Sequence, residues 1–286
     1  MRVGASQIRS TEDPWENLAS VCAFVEEATA ASCDLICFPE NILFRGRKAA
    51  LKSDFFLSLD ANGRIQENSD FAQALAECAQ GWKIAVSLGS VPQQSGDASR
   101  PFNSHWIIQG SKVHPYHKIH LFNYSGEFGL YRESDEMSPG ETTSVVDVAG
   151  KKVGLSICYD LRFPELYREL SLQKGAEVLL VPAAFTLETG RAHWHTLLRA
   201  RAIENLSFVL AAAQWGSHIN KNEKELFCYG HSLIISPWGE ILAEAPEVGD
   251  SLLVVDLNFD QMREKRERLP ARDAAVVFNT RNRSET

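Results

Sequence analysis

Gly154-Leu155-Ser156-Ile157-Cys158-Tyr159-Asp160-Leu161-Arg162-Phe163-Pro164-Glu165 is the most unusual segment of this chain. The apolar run Val153–Ile157 predicts a buried strand that ends at a cysteine. A polar turn follows, and Pro164 opens a helical pattern reaching Lys174. Side chains at such a strand end are held rigidly by the sheet while projecting beyond it. There a cysteine can act as a nucleophile, with the Tyr159 N–H free of the sheet to donate to an oxyanion. By itself the segment fits a buried structural cysteine better, since free cysteines commonly fill cores.

Outward from it, apolar runs alternate with helical patterns. Strands are expected at Val3–Ile8, Leu35–Phe38, Ile84–Val91, Val178–Val181, Phe208–Ala213 and Ser251–Leu257. Helices are expected at Pro14–Ala31, Phe71–Gln80, Ala192–Asn205 and Phe259–Arg268. Hairpins are expected about Gly110-Ser111 and Pro237-Trp238-Gly239. This alternation predicts an α/β protein with mixed sheets. Without a repeat or linker, one domain is expected over residues 1–257, with a polar extension of that domain at 258–286 packing on a partner.

The 286 residues are 44% hydrophobic and 23% charged, a globular balance. A formal charge of −8 disfavours nucleic acid as a ligand. No apolar run approaches the roughly 20 residues that span a bilayer, so no membrane partner is expected. The start MRVGASQI lacks the apolar core and cleavage site of a secretory signal. The expected location is cytoplasmic, with the six cysteines reduced.

Two further strand ends carry charge. Phe38-Pro39-Glu40 places a carboxylate where partial desolvation would raise its pKa toward that of a general base. Tyr116-His117-Lys118 places an ammonium that can hold an oxyanion. Each reads equally as a solvated turn residue. His114, His117 and His120 lie on an extended run and alternate faces, and His193 and His195 do not share a helix face, so no metal site is expected. No GxGxxG or phosphate loop implies a nucleotide, and no cofactor is expected. Arg201 and Glu204 read as a helix ion pair. Arg162 reads as structural, bridging Asp160 or Glu165, or as the binder of a substrate carboxylate.

In combination these segments resemble the nitrilase superfamily of carbon–nitrogen hydrolases over nearly the whole chain. The resemblance is carried by FPE at 38–40, HK at 117–118, Glu133-Ser134 before Ser138-Pro139-Gly140, CYDLRFPEL at 158–166, AHWHTLLRARAIEN at 192–205, AAAQWGSH at 211–218 and YGHSLIISPWGE at 229–240. It implies a four-layer αββα sandwich and a homodimer or higher homo-oligomer. It implies Cys158 as nucleophile, Glu40 as base, and Lys118 with the Tyr159 N–H as oxyanion donors. Glu133, chosen over Glu127, Asp135 and Glu136 by the Glu-Ser pattern before Pro-Gly, would orient Lys118 or the substrate nitrogen. Tyr159, Arg162, Phe185 and Thr186 would contact substrate, and Asn123–Arg132 would form a substrate-facing loop, with Asn123 where the family often has Asp. Within the family the chain is most similar to the Nit-type branch, whose members act on deaminated glutathione or 2-oxoglutaramate. The implied activity is hydrolysis of a small carboxylate-bearing amide through a thioester, with release of ammonia and deaminated glutathione as the favoured substrate. An N-carbamoyl amino acid hydrolase would use the same four residues, and a catalytically silent scaffold would not need them.

Overall fold

A computed structural model describes residues 1–46, 55–97, 99–126, 129–219, 224–272, 274 and 275. The chain begins with β1 (Arg2–Ile8), α1 (Pro14–Ala30), β2 (Leu35–Cys37), α2 (Asp70–Gly81) and β3 (Ala85–Gln93). There follow β4 (Phe102–Gln109), β5 (Lys112–His117), β6 (Asn123–Gly126), β7 (Gly129–Arg132), β8 (Val145–Val148) and β9 (Lys151–Leu155). After Cys158 come α3 (Pro164–Arg168), β10 (Val178–Leu180), α4 (Leu187–Asn205), β11 (Phe208–Ala211) and β12 (Ala213–Ile219). The last elements are β13 (Glu225–Tyr229), β14 (Leu233–Ile235), β15 (Ile241–Glu244), β16 (Ser251–Asp256) and α5 (Phe259–Arg268).

Local chemistry sets the helix starts. Asp13 accepts from the N–H groups of Trp15 and Glu16 at 2.9 and 3.4 Å, with Pro14 at the first helical position of α1. Ser69 caps α2 through Ala72 N–H at 3.2 Å. The expected helix over 164–174 changes character after Arg168 into a π-type turn, Glu169–Gln173.

Two mixed sheets result. One runs β13-β12-β1-β2-β3-β4-β5, with β16 also paired to β1, and the other runs β15-β14-β11-β10-β9-β8. Strand alternation then builds the layers. Ile36, Val86, Trp106 and Ile108 face Leu18, Val21 and Val25 of α1 and Phe71 and Leu75 of α2. Leu35, Cys37, Ala85 and Ile107 face the other way, into one cluster with Val153, Leu155, Val178 and Leu180 of the second sheet. Trp194, Leu198 and Ala202 of α4 join that cluster. The layer order is helix, sheet, sheet, helix, as expected.

Two differences from the sequence reading stand out. The run 208–213 is two strands in different sheets, the chain crossing between them at Ala212. Residues 123–126 and 129–132 pair as an antiparallel ribbon instead of a loop, and Glu127 lies outside the described residues. The start of the 258–286 extension packs on the domain it extends. Phe259 and Met262 are buried in the core, the Phe259 ring 5.3 Å from that of Phe208. Residues 276–286 lie outside the described residues.

Gly89 in β3 permits a close approach that matters for the site. A Cβ there would lie 2.0 Å from the Phe38 carbonyl oxygen and 2.5 Å from that of Pro39. Gly89→Ala should therefore lower stability by about 1–3 kcal/mol, as overpacking does. Gly81→Ala, with nothing within 4 Å, should not. Urea midpoints of the two variants check this.

Candidate active site

The C-terminal ends of β2 and β5 deliver the first two groups. Phe38 N–H donates to Ser87 O at 2.9 Å, tying the Phe38-Pro39-Glu40 turn to β3. Lys118 N–H donates to Asn103 O at 2.9 Å, and Gly140 N–H donates to Lys118 O at 2.8 Å. The side chains then meet in the interior. Lys118 Nζ donates to Glu40 Oε1 at 2.8 Å and to Glu133 Oε2 at 2.9 Å, with Lys118 only 2% exposed. Glu133 arrives on a short 3-10 turn after β7, and its Oε2 also accepts from Phe122 N–H at 2.7 Å. Glu40 Oε2 accepts from Ala184 N–H at 3.1 Å.

Asn103, which sequence reasoning missed, lies between the carboxylates. Its Nδ2 donates to Glu40 Oε1 at 3.1 Å and to Glu133 Oε1 at 2.9 Å. An asparagine inside a strand, between Phe102 and Ser104, carries no local mark of that position. Each of the four carboxylate oxygens here accepts a hydrogen bond, as a buried charged network requires.

Cys158 comes from the second sheet. Its N–H donates to Pro182 O at 2.8 Å, and its φ of 44° puts the nucleophile candidate in the left-handed region that non-glycine residues avoid. Asp160, fully buried, holds this turn. It accepts from Ile157 N–H at 2.9 Å, Tyr116 Oη at 2.8 Å and His120 N–H at 3.1 Å, with His120 Nδ1 2.7 Å away. The Tyr159 N–H lies in the first turn of the short 3-10 helix Cys158–Arg162, where amides have no intrahelical acceptor. Arg201, in its expected 3.0 Å pair with Glu204, also donates to Leu161 O through Nε and Nη2 at 3.0 and 2.7 Å.

Cys158 lies near enough to Glu40 and Lys118 for their charges to act on its thiol. Burial alone would push Glu40 up, but attraction to Lys118 and its hydrogen bond outweigh this and hold the carboxyl below its ordinary value. This reverses the raised pKa expected for a desolvated strand-end base. Burial also opposes the Lys118 charge, yet Glu133 and Glu40 together hold its ammonium well above the usual range. Burial and the neighbouring Glu40 push the Cys158 thiol well up, offset in part by Lys118. The resting site is thus a protonated thiol against an ionised carboxylate.

The residues expected to meet substrate are more scattered in role. The Tyr159 ring lies edge-on to Phe122 at 5.1 Å and Phe163 at 5.4 Å. Phe185 is buried against Trp194 at 4.9 Å. Thr186 caps α4, accepting from Thr189 N–H at 3.4 Å. Arg162 bridges neither Asp160 nor Glu165 among the described contacts, because the Asp160 oxygens are taken by other donors. Its guanidinium instead lies over Tyr159 and Phe185 at 5.8 and 5.3 Å and meets His193 Nδ1 at 3.2 Å. Arg45 was not singled out in the sequence. Its Nη2 lies 2.9 Å from Cys228 Sγ and 3.3 Å from His218 Nδ1, and its charge is felt by Glu40.

A model of the carbon-nitrogen hydrolase family matches residues 2–267. The chain belongs to that family. It is 37% identical over 274 residues to the deaminated glutathione amidase of a Synechocystis strain, covering 93% of this chain and 95% of the relative. The structure of yeast Nit3, a member of branch 10 of the nitrilase superfamily, superposes with a TM-score of 0.77 at 30% identity, covering 94% of each chain. The Caenorhabditis elegans NitFhit structure gives 0.79 at 33% identity over 96% of this chain, which spans 64% of that protein's length. The chain is an amidohydrolase of the nitrilase superfamily. Among the described residues no helix is long and apolar enough to cross a membrane.

Removing Lys118 would strand two buried carboxylates. Lys118→Met should cost about 3–5 kcal/mol of stability, the usual effect of breaking a buried ion pair on one side. Glu133→Gln, which keeps the shape and leaves Lys118 paired to Glu40, should cost less. Denaturant unfolding of both checks the order.

Proposed function

We propose that this chain hydrolyses the amide bond of a small carboxylate-bearing substrate through a thioester on Cys158, with deaminated glutathione as the substrate. The observation that carries the reaction is a buried Glu40 carboxylate, paired with Lys118 Nζ at 2.8 Å, whose charge acts on the Cys158 thiol. The name of the Synechocystis relative supports the substrate.

Cys158 Sγ attacks the amide carbon as Glu40 takes the thiol proton. Negative charge moves from Glu40 to the carbonyl oxygen, so the buried cluster keeps its total charge. Lys118 Nζ and the Tyr159 N–H receive the oxyanion. Glu133 and Asn103 hold Lys118 and Glu40 in place. Glu40 then returns the proton to the leaving nitrogen, the C–N bond breaks, and the thioester remains. Water, deprotonated by Glu40, attacks the thioester and releases the acid and the free thiol. Arg162, held over the Tyr159 and Phe185 rings, meets a substrate carboxylate, and Arg45 adds positive charge on the Glu40 side. Thr186 and Phe185 line the entry from α4.

One expectation changes with the substrate. The amide nitrogen of deaminated glutathione carries cysteinylglycine, so that dipeptide is the amine released. Ammonia would leave from a primary amide such as 2-oxoglutaramate. We assign the working assembly as a homodimer with the extension after Leu257 at its interface, and the location as the cytoplasm.

Both substrates yield 2-oxoglutarate, which makes it their common readout, while an N-carbamoyl amino acid and a nitrile in the same panel are followed by ammonia release. Deaminated glutathione should give the highest kcat/KM, with free cysteinylglycine and no ammonia. Preference for 2-oxoglutaramate with ammonia release would transfer the substrate to the ω-amidase reading. Unchanged turnover by Cys158→Ser would refute the mechanism.

The base assignment has a separate check. Because Glu40 lies below its ordinary pKa, Cys158 alkylation by iodoacetamide should stay nearly level from pH 6 to 8 instead of following a free thiol's rise. Glu40→Gln should lower kcat by about 10²–10⁴-fold.

A further inference from the structure

Three side chains outside the catalytic cluster converge although they are distant in sequence. His195 projects from α4, His231 from the turn between β13 and β14, and Glu244 from the end of β15. His195 Nε2 and His231 Nδ1 lie 2.9 and 2.8 Å from the same oxygen, Glu244 Oε1. One ligand atom from each lies within 4.8 Å of the others, and among the described residues this is the one such group of three. The histidines considered in the sequence do not form another. His117 meets Ser104 Oγ at 3.1 Å and stacks on Phe102, while His120 is held by Asp160.

We propose that His195, His231 and Glu244 form a binding site for a divalent transition-metal ion of the Zn²⁺ type. Two imidazoles and one carboxylate are a zinc ligand set, leaving a fourth position to water. Bonds of about 2.0–2.2 Å in a tetrahedron place ligand atoms about 3.4 Å apart. To admit the ion, the two histidine–glutamate pairs, now 2.9 and 2.8 Å, open by about half an ångström, and the three ligand atoms, now within 4.8 Å of one another, draw together around it. Binding moves each ring proton from the Glu244 side to the other ring nitrogen, so neutral imidazoles become ligands without net proton loss.

The surroundings orient the ligands, as metal sites require. His231 holds φ at 55°, a strained backbone that turns its ring toward α4. Its carbonyl accepts from Trp194 Nε1 at 2.8 Å, and its ring packs on Tyr229 with centroids 4.5 Å apart. All three ligands are partly solvent-accessible, with side chains 21–34% exposed, so an ion can reach them. The ion would staple α4 to the 229–232 turn. That turn touches the catalytic side, because Tyr229 N–H donates to Phe185 O at 2.9 Å.

The test titrates chelator-treated, dialysed full-length protein with Zn²⁺ alone by calorimetry, and with Co²⁺ by absorption. Wild type and Cys158→Ser should each bind one equivalent. The Co²⁺ spectrum should show visible d–d bands and no near-ultraviolet thiolate charge-transfer band. His195→Ala and Glu244→Gln should each weaken binding at least tenfold. Zn²⁺ should raise the melting temperature of wild type and not of His195→Ala. The site is refuted by the absence of saturable Zn²⁺ binding below millimolar, by a thiolate band, by loss of binding in Cys158→Ser, or by unchanged affinity in both ligand variants. Glu244→Gln keeps the side chain's shape, so its result stands if His195→Ala folds poorly.

Discussion

A lysine ammonium buried between two carboxylates is the interaction on which the rest of this structure depends. None of Lys118, Glu40 and Glu133 could be withdrawn from water alone, since burying an unpaired charge costs several kcal/mol. Together, and with Asn103 bridging the two acids, they are 2–5% exposed with charges and hydrogen bonds matched. The cluster joins residues 40, 103, 118 and 133, which only the β2-β3-β4-β5 arrangement brings together. Its chemistry follows from the same fact. A free desolvated glutamate would be protonated and useless as a base, whereas one beside Lys118 stays ionised next to a thiol that stays protonated.

Cys158, the proposed nucleophile, follows a strand of the other sheet, so its distance from Glu40 is set by how the two sheets align. Polar contacts cross that seam where apolar packing alone would allow sliding. Tyr116 of β5 reaches Asp160 beside the nucleophile, and His105 Nδ1 of β4 lies 2.9 Å from Ser156 O. Burial brings the His105 pKa down to about 4, so the ring is neutral and donates to that carbonyl. Its Nε2 then accepts from Ser87 Oγ at 2.7 Å in β3. Directional bonds of this kind fix a register that non-directional hydrophobic contact does not.

What was legible in the sequence was whatever local pattern determines. Leu35–Cys37, Val178–Leu180 and Ser251–Asp256 are short apolar runs, and α1 and α2 carry their caps and periodicity in plain view. Val145–Val148 and Glu225–Tyr229 were not read as strands, because each is an edge strand specified by its neighbour more than by its own residues. Glu40, Lys118 and Cys158 were visible as strand-end residues in recognisable order. Asn103 was not, since its role exists only across strands. Of the two readings of Arg162, the bridge to a neighbouring acid failed for a related reason. Its nearest acids in sequence were plausible partners, but Asp160 was already committed to Tyr116, His120 and Ile157.

The helix α4 shows how one element can serve several sites without conflict. Its cap, Thr186, follows directly from Ala184 and Phe185 beside the catalytic cluster. About two turns later His193 meets Arg162, and His195, on another face, meets Glu244. Further along, Arg201 grips the Leu161 carbonyl in the turn that presents Cys158. A rigid helix transmits displacement along its length, so anything that fixes its outer face also fixes the turn holding Cys158. The strained φ values at Cys158 and His231 lie at two ends of this linkage, each held by contacts that include α4 or its neighbours. The geometry of the amide site is therefore a property of the seam and of α4 together, beyond the four charged and nucleophilic residues themselves.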